Sequence, residues 1–112
     1  MNLDRLSERL HTTAVEKGFW DPLDNMTGED NFIFYAKQIA MIHSEATEVL
    51  EAIRKSKGQA QVVEELADII IRVCDLYEGL RLNGEVVTSL DKTVRYKSKI
   101  NKKREKLHGV RG

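Results

Sequence analysis

Residues 39–70 read IAMIHSEATEVLEAIRKSKGQAQVVEELADII, and this stretch decides the fold. Ile39, Ile42, Ala46, Val49 and Ile53 recur at spacings of three and four, as do Val62, Leu66 and Ile69. That is the period of a helix with one apolar face. Gly58 stands between the two runs, and so short a joint makes the flanking helices antiparallel neighbours. Amphipathic helices keep carboxylates on the wet face, so acids at the edge of the apolar stripe are the informative positions. Glu45 lies three residues after Ile42 and four before Val49, and Glu48 is one turn further on. Glu65 follows Val62 by three and precedes Ile69 by four, with Asp68 as its i+3 neighbour. Ten residues separate Glu48 from Gly58, and ten more separate Gly58 from Asp68. A hairpin turning at Gly58 therefore brings two Glu-x-x-acid pairs together.

Outward from the hairpin the pattern stays helical. Asn2–Lys17 carries Leu3, Leu6, Leu10 and Ala14 and stops at Gly18, and Phe19–Gly28, with the single proline at Pro22, is the one real loop. The second helix is expected from about Glu29 to Lys57, with Phe32 and Tyr35 extending its stripe, and the third over Gln59–Leu82. Asn83-Gly84 is a turn dipeptide, and a fourth helix is expected from Glu85 to about Lys106 with Val87, Leu90 and Val94 on one face. Ile69-Ile70-Ile71 alone suggests a strand, but its flanks keep the helical period. The expectation is an all-α, four-helix bundle with antiparallel neighbouring helices, one domain over residues 1–112 with a basic tail from about 105.

Composition narrows the classes further. A domain of 112 residues buries only about two-thirds of its unfolded surface, so oligomerisation is expected to complete it. One cysteine, Cys74, excludes an intramolecular disulfide framework and a Cys-based zinc site and fits a reducing cytoplasm; among Ile70, Val73 and Tyr77 it reads as a small core residue. No apolar run approaches the roughly 18 residues of a membrane span. Eighteen basic residues balance 18 acidic ones, but the balance hides a partition. Met1–Leu90 holds 9 basic and 16 acidic residues, and Asp91–Gly112 holds 9 basic and 2 acidic, giving −7 and +7.

Four carboxylates gathered in a partly dry place cannot all stay ionised without a cation. Ligands that are carboxylate oxygens throughout select a hard ion, Mg²⁺ or in its place Mn²⁺, above all where a phosphate substrate completes the shell. The fourth helix holds the complement: Leu90, Val94, Lys97, Asn101 and Arg104 are spaced 4, 3, 4 and 3. Its apolar stripe thus continues as a phosphate grip, Lys97 as a point charge, Asn101 for orientation and Arg104 as a bidentate clamp. Phe19 and Trp20 in the loop read as anchors that fold it onto the core. A carboxylate-bridged di-iron bundle needs two Glu-x-x-His motifs on core helices, and the one match, Glu105-Lys106-Leu107-His108, falls in the tail. A non-enzymatic helical module with a basic, nucleic-acid-binding C-terminal helix accounts for Lys92–Lys106 but gives no reason for acids along the apolar edge.

Glu45-x-x-Glu48, then 16 residues, then Glu65-x-x-Asp68 within Glu-Glu-Leu-Ala-Asp, resembles the signature of the MazG-like all-α nucleoside triphosphate pyrophosphohydrolases. His43-Ser44-Glu45, Lys17-Gly18-Phe19-Trp20-Asp21 and the closing Lys97-x-x-x-Asn101 with His108-Gly109 are similar to the short single-domain members found in phages and bacteria. The resemblance spans about His11 to Gly109; Lys102-Lys103-Arg104 departs from it, because relatives often carry a shorter basic run leading into proline. It implies hydrolysis of a nucleoside triphosphate between the α and β phosphates, to a monophosphate and pyrophosphate, in a nucleotide-pool or house-cleaning role. It also implies Mg²⁺ on Glu45, Glu48, Glu65 and Asp68, phosphate oxygens on Lys97, Asn101 and Arg104, and a homodimer or dimer of dimers. Glu45 and Glu48 are the catalytic candidates, Glu45 as the acceptor of a proton from water. Under the same resemblance Phe19 and Trp20, otherwise loop anchors, are candidates to stack on a nucleobase, with His11 a candidate hydrogen-bonding partner of that base. Related bundles prefer dUTP or cleave phosphoribosyl-ATP, and these remain alternative substrates.

Overall fold

A computed structural model describes residues 2–26 and 28–104. Four α-helices follow one another: α1 (Leu3–Glu16), α2 (Glu29–Arg54), α3 (Gln59–Leu82) and α4 (Leu90–Lys103), with a 3₁₀ turn at Asp21–Asn25 inside the loop after α1. The described residues contain no strand, and the all-α four-helix expectation holds. The third helix is the axis of the molecule, packed along α1 on one side and α2 on the other, while α4 touches the start of α1.

The helix ends are fixed by local chemistry. Asn2 caps α1, its side-chain oxygen accepting from the N–H groups of Asp4 and Arg5 at 2.8 and 3.2 Å. Ser89 caps α4 by accepting from Lys92 N–H at 3.1 Å. The two N-termini also cap each other: Leu3 N–H donates to Asp91 Oδ1 and Asp91 N–H donates to Asp4 Oδ1, both at 2.9 Å. Each carboxylate thereby satisfies a backbone donor that its own helix leaves without a partner. Asp91 also accepts from Arg95 Nε–H at 2.8 Å. Leu3 N–H, then Arg95, hold the Asp91 carboxyl below its ordinary value of 3.8.

Three expectations change. The fourth helix begins at Leu90 rather than Glu85, because Val86-Val87-Thr88 is a β-branched run that resists helix. Val87 projects into solvent at 90% exposure instead of joining the Leu90–Val94 face. The second helix ends at Arg54, and Ser56 and Gly58 turn the chain with positive φ. Its buried residues are Phe34, Tyr35 and Ala52, whereas Phe32, Ile39 and Ile53 of the expected stripe are exposed. Two contacts explain the shift: among the described residues α2 packs mainly on α3, and the loop's Trp20 packs onto Phe34. The basic tail from about 105, with His108 and Gly109, lies outside the described residues. No helix among them is long and apolar enough to cross a membrane.

Candidate active site

The α2–α3 hairpin sets the register of the acids. Arg72 on α3 reaches across to Glu45 on α2, its Nε 3.6 Å from Glu45 Oε2. From that cross-link toward the Gly58 turn, Glu48 is the next helical turn along α2 and Asp68 is the next along α3. Glu65 lies one turn further on. Glu45, Glu65 and Asp68 are half-buried and Glu48 is exposed. Gln61 Nε2 donates to Glu65 Oε1 at 3.0 Å. Among the described residues no ion pair involves Glu48 or Asp68.

The donor set is all carboxylate oxygen, which fits a hard divalent ion. The side chains are drawn elsewhere, Glu45 toward Arg72 and Glu65 toward Gln61. Among the described residues no three His, Cys, Asp or Glu groups converge as a metal needs. Binding an ion therefore asks for rotamer changes, which exposed and half-buried glutamates make easily.

The fourth helix packs on α1, and its first turns face α3 across a cavity. Tyr77 O–H donates to the Thr88 carbonyl oxygen at 2.8 Å, and Leu90 and Val94 share a cavity with Ile69, Ile70, Val73 and Cys74. Lys97 and Asn101 follow Val94 by one and two turns, and Arg104 ends the helix; all three side chains are exposed. Within one chain they are not brought onto the acids, because no ion pair among the described residues joins Lys97 or Arg104 to them.

A family model for the MazG nucleotide pyrophosphohydrolase domain matches residues 35–107. The chain belongs to this family. Its domain is that of a nucleotide pyrophosphohydrolase, an all-α hydrolase of a type that depends on divalent metal. No curated protein and no solved structure matches the chain. The MazG match takes in all four acids and Lys97, Asn101 and Arg104, and it leaves His11, Phe19 and Trp20 outside.

Those three residues sit at a corner built on Asp75 of α3. Trp20 is buried, and its Nε1–H donates to Asp75 Oδ1 and Oδ2 at 2.9 and 3.2 Å. His11, also buried, places Nδ1 at 2.7 Å from Asp75 Oδ1 and meets the Trp20 ring edge-on, centroids 4.7 Å apart. Burial pushes the Asp75 carboxyl above its ordinary value of 3.8, against the pull of the His11 and Trp20 hydrogen bonds and of Arg72. The indole lies over Gly79, where a Cβ would fall 2.1 Å from Trp20 Cη2, so only glycine fits. In the described chain Trp20 is thus the anchor of its loop. Phe19 is 61% exposed and lines a cavity of about 270 Å³ with Thr13, Lys17, Arg72 and Asp75.

Asp75 is not among the site residues expected from the sequence. One signal could have found it: Asp75 is seven residues beyond Asp68, two turns along the same face.

Proposed function

We propose that this MazG-family chain hydrolyses (deoxy)nucleoside triphosphates between the α and β phosphates, releasing a monophosphate and pyrophosphate in a nucleotide-pool role. The observation that carries the proposal is the hairpin register, which sets Glu48 and Asp68 on facing helices one turn from the Glu45–Arg72 cross-link. Glu45, Glu48, Glu65 and Asp68 would hold Mg²⁺, with Mn²⁺ as a substitute. When bound, such an ion neutralises the triphosphate and lowers the pKa of a coordinated water. Glu45 accepts the proton of the attacking water, with Glu48 beside it. Lys97, Asn101 and Arg104 bind and orient phosphate oxygens, the lysine as a point charge and the arginine through its planar fork.

The nucleobase lies in the cavity beside Phe19, whose exposed ring offers a stacking face at about 1–3 kcal/mol per base. Trp20 and His11 act from beneath, holding the loop that presents Phe19. The functional unit is a homodimer or a dimer of dimers in the cytoplasm, with no nucleic-acid partner. Two observations support assembly. The first is the exposure of Ile39, Leu50 and Ile53 on α2 and of Val63, Leu66 and Ile70 on α3, an apolar surface that a lone chain leaves wet. The second is that one chain alone does not bring α4's cations to the acids.

The test is chromatography of products from a panel of canonical, deoxy and modified triphosphates with Mg²⁺. The reading predicts monophosphate and pyrophosphate in equal amounts from at least one of them. Diphosphate and inorganic phosphate, or no cleavage of any, would overturn it.

A further inference from the structure

The Arg72–Glu45 cross-link differs from the tight arginine–carboxylate contacts among the described residues and, unlike the exposed Arg54–Glu51 pair at 3.4 Å, it keeps its Nε out of water. Arg81 clamps Glu78 through two hydrogen bonds of 2.8 and 2.9 Å, and Arg95 Nε–H donates to Asp91 at 2.8 Å. Those are the distances of charge-assisted bonds. Arg72 instead stops 3.6 Å short of Glu45, too far for a hydrogen bond. Its Nε is buried and donates to nothing. A buried donor without an acceptor is costly, so the arrangement is not one the fold selects for its own stability. The guanidinium is held by charge alone, at a junction: Glu45 lies on one side, and the cavity lined by Phe19 and Asp75 lies on the other.

We propose that Arg72 is a transferable latch. In the substrate-free protein it neutralises Glu45, and it lets go when that carboxylate takes up a divalent cation. It then donates its unused N–H groups to the triphosphate oxygen nearest the nucleoside. This rests on the reading of Glu45 as a metal ligand. The charges favour the exchange: a cation on Glu45 cancels that carboxylate's share of the negative charge around the guanidinium, leaving Asp75 on the cavity side, and adds a positive charge beside it. The substrate brings oxygens to the same junction, between the acids and the base cavity. An arginine suits this role because it stays charged throughout and its fork matches a phosphate edge.

A latch competes with the metal but helps the substrate, so one substitution should move two readouts in opposite directions. Mn²⁺ is titrated into the substrate-free wild type and into Arg72→Gln, Arg72→Lys and Glu45→Gln, the free ion being followed by its paramagnetic resonance. Turnover of a triphosphate is measured on the same samples. Arg72→Gln should bind Mn²⁺ about two- to fivefold more tightly, the scale of a partly exposed ion pair. It should lose about tenfold or more in kcat/KM, the scale of a charge-assisted bond to phosphate. Arg72→Lys should keep the wild-type Mn²⁺ affinity and recover only part of the turnover, which separates the lost fork from any damage to folding. Unchanged or weaker Mn²⁺ binding by Arg72→Gln overturns the latch, and so does tighter binding with unchanged kcat/KM. Glu45→Gln tests the reading beneath. If it binds Mn²⁺ like the wild type, the assignment of Glu45 fails; if it loses Mn²⁺ while Arg72→Gln changes nothing, the latch alone fails.

Discussion

The chain's carboxylates live in two settings. At the α1–α3 corner and the paired helix N-termini, each acid is spoken for: Asp75 by Trp20 and His11, Asp4 by the Asp91 N–H and the Ser89 hydroxyl, Asp91 by Leu3 and Arg95. Glu78, 4% exposed, is clamped by Arg81. Along the α2–α3 hairpin, Glu48 and Asp68 carry no ion pair among the described residues, and Glu45 has a guanidinium only at 3.6 Å. Acids that hold a fold are satisfied by the fold, because an unpaired carboxylate away from water is expensive. Acids without partners on an exposed or half-buried helix face stay hydrated and add little to the fold. Acids of that kind are open to a ligand, and losing one costs the fold little.

The comparison breaks first, and by the largest margin, at Glu48. Glu48→Gln should cut pyrophosphate release by about a hundredfold or more, since the metal's share of transition-state stabilisation is several kcal/mol. Its melting temperature should stay level, since Glu48 is exposed and carries no ion pair among the described residues. A several-degree loss of melting temperature at an unchanged rate would move Glu48 into the structural class. At the corner the effect reverses sign and readout. Trp20→Ala should cost about 3–5 kcal/mol in denaturant unfolding. Gly79→Ala, which forces a methyl into the indole, should cost about 1–3 kcal/mol in the wild type and far less in the Trp20→Ala background. A double-mutant cycle measures that coupling. A smaller effect sharpens the role of α4: Lys97→Ala should lose about tenfold in kcat/KM with no change in melting temperature, as for one charged contact to phosphate.

The smallest effect is a slope with pH. Asp75 is held above 3.8 in the folded chain. Between that ordinary value and the folded one, the folded state keeps a proton that the unfolded state has released. The contribution of Asp75 therefore weakens the fold as pH rises through that window. Melting curves of wild type and Asp75→Asn should converge toward, or cross in favour of, the wild type as pH falls from about 7 to about 4. Asp91 works in the opposite sense. Its carboxyl is held below 3.8, so its contribution is present above that value and fades as pH drops through the folded one.

The hairpin was legible in the sequence because everything that makes it is local. Three- and four-residue spacings set α2 and α3, Gly58 marks the turn, and equal arms carry Glu48 and Asp68 to the same height. The family resemblance read on those residues is the family the chain belongs to. The start of α4 was misread because Val87 happens to fit the spacing of Leu90 and Val94, and periodicity outweighed the β-branched run before Ser89. The Asp75 corner was not legible for another reason. Its partners His11 and Trp20 are 64 and 55 residues away along the chain, and no local pattern announces a meeting at that range. The reciprocal caps of Asp4 and Asp91, 87 residues apart, were hidden in the same way. Which apolar residues of α2 are covered depends on what packs on them, and a single helix cannot state that.

One side-by-side measurement goes to the division itself: pyrophosphate release and thermal melting of Asp68→Asn and Asp91→Ala, each against the wild type. Asp68→Asn should lose nearly all release while melting like the wild type, and Asp91→Ala should melt lower while its folded fraction releases pyrophosphate at the wild-type rate. If Asp68→Asn lowers the melting temperature and leaves release untouched, the hairpin acids are part of the scaffold and the proposed active site lies elsewhere.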